Sequence, residues 1–455
     1  MGRHKLKLLV ATVALVCISS GCQPEDAALM AAFKYARNAG EQVPIVLIHG
    51  MLGAHLSDST TGEARWPGGL WRLMFHDFAD LALPIDEKTL LPKDDGLRPT
   101  HLFDEAAGED FYGILVDTLT GPGGYKLRGQ GVKRPTLYIF LYDWRQDIVT
   151  NATRLGQYIR NIRAEHGDSK MRVDVVAHSM GGLLVRYFVR YGEEDVLGQE
   201  NPPDPTLAGQ DFVRRAVLVA TPNFGSISGL QSAIMGHKVG MRDIPPEVGA
   251  TWPSVTQLMP NPARAWMVNE KGEELARDLY STATWREFEW GIFDPDVRRK
   301  ATATFDEEED GEKRLALLES AFEQNLVRAR RFHDVMSRPV SKCASKYIVF
   351  AGDCVPTPAS CLMELVDGEK LLRLHPDDID NRLEGVDYEA LMLEPGDGRV
   401  TRSSAIARTQ LGFRGFSTGK ETFPLAYSVF LCSQHDKLPS NPTFRNNLLY
   451  ILLSK

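Results

Sequence analysis

The sequence predicts an α/β fold, with a mostly parallel central sheet, helices on both faces and an inserted cap or lid region. Three observations predict it. Short runs rich in β-branched and aromatic residues recur at 43–48, 136–142, 172–176, 216–220, 347–351 and 427–431. Runs of this kind read as strands buried on both faces. Between them lie stretches with apolar residues at helical spacing: Leu155, Tyr158, Ile159 and Ile162 within 151–166, and Leu183, Leu184, Tyr187 and Phe188 within 182–192. Strands alternating with helices imply a parallel sheet covered on both sides. The third observation is a break in that alternation from about 223 to 340, where Trp252, Trp266, Tyr280, Trp285, Phe288 and Trp290 cluster. An acidic run, Asp306 to Asp310, reads as the solvated entry to a helix with Leu315, Leu318, Phe322 and Leu326 on one face. The expected division is therefore a core from 43–222 and 341–455, with a cap from 223–340. Residues 53–135 are rich in Gly, Pro and Asp, and their elements are hard to place.

The N-terminus reads as a targeting segment. Arg3, His4, Lys5 and Lys7 precede an apolar run of eleven residues, Leu8 to Ile18. That run is too short to span a bilayer and fits a signal peptide. Ser19-Ser20-Gly21-Cys22 follows and resembles the lipobox of bacterial lipoproteins, in which the cysteine is lipidated and becomes the first mature residue. Residues 1–22 are thus expected to be a lipoprotein-type signal, and 23–42 a tether followed by a short helix. Gln23 after the cysteine implies release to the outer membrane in that class. The expected location is the bacterial cell envelope, with simple secretion as the alternative.

The composition is that of a globular protein, 43% hydrophobic and 25% charged, with a net charge of -8. That balance argues against nucleic acid as a partner, because phosphate backbones need a concentrated basic surface. Besides Cys22, the mature chain keeps Cys343, Cys354, Cys361 and Cys432. An even number in an oxidising compartment suggests disulfides. Cys354 with Cys361 closes a short loop and is the preferred pair, which leaves Cys343 with Cys432. Four buried free thiols are the alternative. None of the spacings suggests zinc, and no metal or cofactor is expected.

The chemistry is most legible in VDVVAHSMGGLLVRYFV. A strand-like run leads into Ala177-His178-Ser179-Met180-Gly181, and an amphipathic helix follows. This is the strand–turn–helix context of a nucleophile elbow, the Ser-bearing turn of the α/β-hydrolase fold. The turn is tight enough to demand small residues two before and two after the serine, here Ala177 and Gly181. The helix N-terminus directs backbone N–H groups at Ser179, so the Met180 N–H is a candidate oxyanion donor. A second donor is expected from the loop after the first strand, at Met51, because Gly50 lets the chain approach closely. His49, Gly50 and Trp144 are assigned to substrate binding, with a structural role capping the loop as the alternative for His49. Serine needs a base and an orienting acid, in the chain order Ser, acid, His. His435 lies just past the last strand run. His237 and His333 fall in the cap, and His375 in an Asp-rich loop. Asp397, between two glycines, is favoured as the acid, with Asp353 competing.

These segments together resemble the lecithin:cholesterol acyltransferase family and its phospholipase relatives. VPIVLIHGMLG, YDWR at 142–145, AHSMGG, ATPNFGS, WPSVTQLMP, FAGDCVPTP, GDGRVTRSS and QHDKLPSNP occur in the family's order over most of the mature chain. The resemblance implies the triad Ser179, Asp397 and His435, and so selects Asp397 over Asp353. It also implies a mobile lid and membrane-binding elements in the aromatic insertion. The chain departs from the family at Thr401 and Arg402, and at His49. In YDWR, Asp143 and Arg145 are expected to pair while Trp144 packs near the pocket entrance. The expected function is a serine-dependent lipid ester hydrolase or O-acyltransferase, held at a membrane through Cys22. The alternatives are an esterase for small or cell-wall esters and an inactive envelope scaffold.

Overall fold

The computed structural model describes residues 27–38, 40–69, 72, 78–103, 105–106, 109–110, 112–239, 242–304, 311–340, 342–407 and 424–454. The signal segment with Cys22 and the acidic run Asp306 to Asp310 lie outside the described residues. Among the described residues, six strands form the central sheet: β1 (Ile45–Ile48), β2 (Leu137–Phe140), β3 (Val173–His178), β4 (Val213–Val219), β5 (Lys346–Gly352) and β6 (Leu425–Leu431). Their spatial order is β6-β5-β4-β3-β1-β2, and every neighbouring pair is parallel. Each strand lies at or within two or three residues of the run that predicted it.

Alternation along the strands sorts side chains into two cores. Val46, Ile48, Val175, Ala177, Ala216 and Leu218 belong to one apolar cluster. Ile45, Leu47, Val176, Val217, Ile348 and Phe350 belong to another. Since successive strand residues face opposite sides, the two clusters are the two faces of the sheet. The main helices are α1 (Ala27–Asn38), α2 (Ile148–His166), α3 (Met180–Tyr191), α4 (Gly311–Met336) and α5 (Pro442–Leu453). Leu155, Ile159 and Ile162 of α2, and Leu183, Leu184 and Phe188 of α3, cover the first face. Phe33 of α1, and Phe444, Leu448 and Leu452 of α5, cover the second.

Local chemistry sets the helix ends. The Asp147 carboxylate caps α2 by accepting the Val149 and Thr150 N–H groups, so the helix starts three residues before its apolar repeat suggests. Gly167, at φ 69°, ends it.

The segment between β4 and β5 carries helix Ile227–Met235, a hairpin of His237–Val239 with Arg242–Ile244, several short helices and α4. Its six conspicuous aromatics are all buried. Trp285 meets Phe322 of α4 edge-on at 4.9 Å, and Trp252 meets Trp144 of the core at 5.1 Å. The Trp252 contact fastens the segment to the core, and the Trp285 contact packs the segment on itself. Arg328 of α4 adds an ion pair to Asp147, 2.8 Å away. No helix among the described residues is long and apolar enough to cross a membrane.

The preferred cysteine pairing is corrected. Cys354 is bonded to Cys432, while Cys343 and Cys361 are free. Residues 355–358 form an extended strand paired with 393–396, so the chain runs straight from Cys354 towards Cys361 instead of closing a loop. Cys361 is buried in strand Cys361–Val366. Parallel β5 and β6 bring the other pair together: Gly352 is in register with Leu431, and each cysteine follows within two residues.

Candidate active site

Ser179 occupies the sharp turn between β3 and α3, with φ 51° and ψ -124°. A non-glycine residue tolerates this backbone only where its surroundings over-determine it. Here the Ser179 N–H donates to Val219 O at 2.8 Å, and the Gly182 N–H returns to Ser179 O at 3.0 Å. The small residues around the serine are enforced by contact. A Cβ on Gly181 would lie 2.5 Å from His49 O, and one on Gly182 would lie 2.0 Å from the Thr221 hydroxyl oxygen. Ala177 is fully buried in the sheet core.

His435 and Asp397 reach Ser179 from two other loops. His435 follows β6 in a single helical turn, His435–Lys437. Its Nε2 is 3.0 Å from Ser179 Oγ, and its Nδ1 is 2.9 Å from Asp397 Oδ2. A carboxylate only accepts, so Nδ1 carries the proton and Nε2 is free to accept from the serine hydroxyl. Backbone bonds reinforce the pair: the His435 N–H donates to Asp397 O at 2.9 Å. The Arg399 and Val400 N–H groups donate to Asp397 Oδ1 at 2.9 and 2.7 Å. Gly398, at φ 90°, makes this turn possible, and a Cβ on Gly352 would strike the Asp397 Cβ at 2.6 Å. Asp353, the competing acid, is half-buried at the end of β5, and the His435 ring turns to Asp397 instead.

The loop after β1 presses against the nucleophile. A Cβ on Gly50 would lie 2.9 Å from the Ser179 Cβ. Met51 lines the cavity above Ser179, and Met180 is the first residue of α3, where the N–H has no intrahelical acceptor. Two substrate-binding assignments are corrected. His49 is fully buried beneath the loop, its ring stacked 4.2 Å from Tyr142. Its Nδ1 donates to Gly50 O at 2.7 Å, and its Nε2 accepts the Tyr142 N–H at 3.3 Å. It caps the loop, and burial pushes its pKa down to about 4. Trp144 is also fully buried, donating Nε1–H to Ala54 O at 3.0 Å. It packs behind Trp66, which is the indole that lines the cavity. Gly50 acts through its backbone alone. Asp143 and Arg145 pair as expected, at 2.8 Å, and Arg145 also reaches Asp95 at 2.6 Å.

Tyr112 and His178 are site residues that the sequence did not disclose. The Tyr112 hydroxyl accepts the Gly50 N–H at 2.9 Å and lies 2.7 Å from His178 Nδ1. His178 Nε2 in turn faces His435 O at 3.4 Å. Tyr112 belongs to the stretch where no element could be placed, and 66 residues separate it from its partner. His178 sits inside the elbow, but only the fold shows what it touches.

The cavity over Ser179 and His435 has a volume of about 390 Å³. Leu52, Trp66, Phe103, Val255, Leu258 and Val400 give it a mainly apolar wall. His237, Lys238, Arg399 and Asp436 also line it, with the Arg399 guanidinium 3.5 Å from Asp436. His333 is buried away from the cavity and His375 is exposed. Among the described residues, no group of three or more His, Cys, Asp or Glu side chains is placed to hold a metal ion.

An all-parallel sheet, a strained serine elbow and a hydrogen-bonded Ser179–His435–Asp397 set define an α/β-hydrolase. Within that class, residues 125–320 match the family model described as Lecithin:cholesterol acyltransferase. The resemblance to the lecithin:cholesterol acyltransferase and phospholipase-like family therefore holds, and the matched span includes Ser179. Among solved structures, one of the Tle4-Tli4 complex aligns with 90% of this chain and 98% of its own, at 15% identity and a TM-score of 0.52. Lipase 1 from Pelosinus fermentans (13% identity, 91% and 100% covered, TM-score 0.38) and phospholipase PlaB from Legionella pneumophila (12%, 90% and 60%, 0.35) are looser likenesses. At these identities the likeness is one of fold. No curated protein matches the sequence.

Proposed function

We propose that the protein is a serine-dependent lipid ester hydrolase or O-acyltransferase that works through an acyl-enzyme on Ser179. The observation that carries this reading is the pair of hydrogen bonds, 3.0 Å from Ser179 Oγ to His435 Nε2 and 2.9 Å from His435 Nδ1 to Asp397. They open into a mainly apolar cavity. In the first half-reaction His435 Nε2 takes the serine proton as Oγ bonds to the ester carbonyl carbon. The Met51 and Met180 N–H groups hold the resulting oxyanion. Collapse breaks the ester C–O bond, and the alcohol leaves with the proton from His435. In the second half-reaction His435 deprotonates water or an acceptor alcohol, which attacks the acyl carbon and returns the proton to Ser179. Asp397 holds the imidazole tautomer throughout.

The test is acyl release from phospholipid vesicles by the mature protein beside a Ser179→Ala control, with a sterol or glycerol present as acceptor. Release that disappears in the control supports the reading, and any acyl ester product makes the enzyme a transferase. Ser179-dependent cleavage of short esters alone replaces it with the small-ester esterase. No Ser179-dependent cleavage at all leaves the envelope scaffold.

The place of action is proposed as the bacterial envelope, with the chain anchored through lipidated Cys22. The basic segment, the short apolar run and the small residues before Cys22 support this. Palmitate labelling of the expressed chain and of Cys22→Ala tests it, and equal labelling or none in both rejects the anchor.

A further inference from the structure

We infer that Trp66 is a positioning residue: through it, the acyl group that fills the cavity sets the turn carrying the Met51 N–H, so that a longer acyl chain raises kcat as well as lowering KM. The inference rests on the acyl-enzyme reading above and adds to it how the acyl group is selected.

The loop after β1 makes a tight turn at Gly50-Met51-Leu52-Gly53, closed by the Gly53 N–H on Gly50 O at 3.2 Å. Leu52 is its third residue and has φ 61°. A turn with positive φ at that position favours glycine or asparagine, because a Cβ is crowded there. A leucine keeps such a backbone only where its surroundings hold it. The Phe103 N–H fixes the exit of the turn at Gly53 O, 2.9 Å away. The Leu52 carbonyl itself is held by the Trp66 indole, whose Nε1–H donates to it at 2.9 Å. The Met51 N–H, assigned above to the oxyanion, thus lies between two tethers. One is the Tyr112 hydroxyl on the Gly50 N–H, and the other is the Trp66 indole on Leu52 O.

Trp66 belongs to the turn's clamp and to the cavity at once. Its side chain is 3% exposed and lines the cavity together with Leu52 and Ser179. Of the apolar wall residues Leu52, Trp66, Phe103, Val255, Leu258 and Val400, only tryptophan has a polar side-chain atom. Trp66 is therefore the wall side chain that can touch an acyl group and hold a backbone carbonyl at the same time. From the core, Trp144 supports its ring edge-on at 5.7 Å and Phe78 at 5.9 Å.

Packing decides the direction of the effect. A ring with atoms behind it and a cavity in front lacks the dispersion contacts of a filled site. An acyl chain in the cavity supplies them and confines the indole against Trp144 and Phe78. The Nε1–H then stays on Leu52 O, and the strained turn stays closed. An acetyl group supplies few such contacts and a hexanoyl group more. Binding energy from a part of the substrate that does not react is thereby used at the reacting centre, where it appears in kcat. Both half-reactions pass through an oxyanion, so either one reports the effect when it limits the rate.

The experiment uses p-nitrophenyl acetate, butyrate and hexanoate, dissolved as monomers. They share one leaving group and differ only in the acyl chain. Values of kcat and KM are measured for the wild type, Trp66→Phe and Leu52→Gly. In the wild type, kcat should rise about tenfold from acetate to hexanoate. Trp66→Phe keeps an apolar ring in the wall and loses the N–H. Its KM should still fall with chain length, while its hexanoate-to-acetate kcat ratio drops to within about twofold of unity. Leu52→Gly relieves the left-handed residue without touching the indole, so it should raise kcat for acetate and lower the same ratio. A purely structural tryptophan would lower kcat for all three esters in proportion. An unchanged ratio in either variant overturns the coupling, and a wild-type kcat independent of chain length overturns it without any variant. Absence of Ser179-dependent cleavage of all three esters overturns the acyl-enzyme reading itself, and the coupling with it.

Discussion

The Tyr112 hydroxyl ties the loop that carries Met51 to the turn that carries Ser179, at 2.9 Å from the Gly50 N–H and 2.7 Å from His178 Nδ1. The direction of each bond follows from the groups. Gly50 N–H can only donate, so the Tyr112 oxygen accepts there and gives its proton to His178 Nδ1. His178 is then protonated on Nε2, which faces His435 O. Burial, reinforced by the nearby His435, pushes the His178 pKa down to about 3, and burial raises that of Tyr112. The strut therefore keeps one hydrogen-bond pattern across the working pH range.

Removing the hydroxyl with Tyr112→Phe should lower kcat on a soluble ester by about tenfold to a hundredfold. That is less than the roughly 10²–10³ of losing an oxyanion donor outright, because on the proposed reading the Met51 N–H is displaced and not removed. KM should change little, and affinity for a boronic acid inhibitor should fall in step with kcat/KM. The pH profile should keep its shape. The variant also leaves two buried groups unpaired, at a cost of about 1–3 kcal/mol in stability, so rates are compared well below its melting temperature. An unchanged kcat would remove the strut from the account of the site.

Asp397→Asn should reduce kcat by about 10⁴, because the amide can no longer hold the Nδ1–H tautomer of His435. Asp353→Asn should leave kcat within about twofold, since the His435 ring does not face it. The two carboxylates were hard to separate from local sequence, as each follows a glycine near a strand end. What separates them is the turn at Gly398, where two backbone N–H groups hold one Asp397 oxygen and aim the other at His435. Comparable losses in both variants would reverse the assignment of the acid.

The Cys354–Cys432 bond closes a loop spanning 78 residues in sequence. By chain entropy, a loop of that length stabilises the fold by about 4.5 kcal/mol. The bond also joins the ends of β5 and β6, and His435 lies three residues past Cys432. Cys354→Ser with Cys432→Ser should therefore lower the melting temperature and kcat together. Reductant should lower both in the wild type and neither in the double variant. Insensitivity of the wild type to reductant, with the bond shown to be open, would separate this disulfide from stability and from the site.

Legibility in the sequence followed the range of the forces involved. The strands and the Ser179 elbow were readable because period-2 and helical patterns, and the small residues at Ala177 and Gly181, are local consequences of burial and close packing. His435 was readable from its place after a strand. Long-range relations were not readable: Cys354 finds Cys432 through the register of parallel strands, and Tyr112 finds His178 across 66 residues of chain. Trp144 and His49 looked like pocket residues because they sit in the family-like segments YDWR and VPIVLIHGMLG. The fold turns both inward, and Trp66, from a stretch without clear periodicity, provides the indole in the wall.

Buried neutral histidines should make stability depend on pH. Burial lowers His49 and His237 to about 4, and His178 and His333 to about 3, from an ordinary value near 6.5. Below 6.5 the unfolded chain binds protons at these rings while the folded chain does not. Stability is therefore fully present above pH 6.5 and is lost progressively as pH falls towards 4. Each ring contributes up to about 1.4 kcal/mol per pH unit over that window. The melting temperature should be nearly flat from pH 8 to 7 and should fall steeply from 6.5 to 5. His333, buried away from the reacting groups, offers a control: His333→Gln removes one of the four sites and should make the acid slope shallower by roughly a quarter. A melting temperature independent of pH between 7 and 5 would show that these rings are not held neutral by the fold.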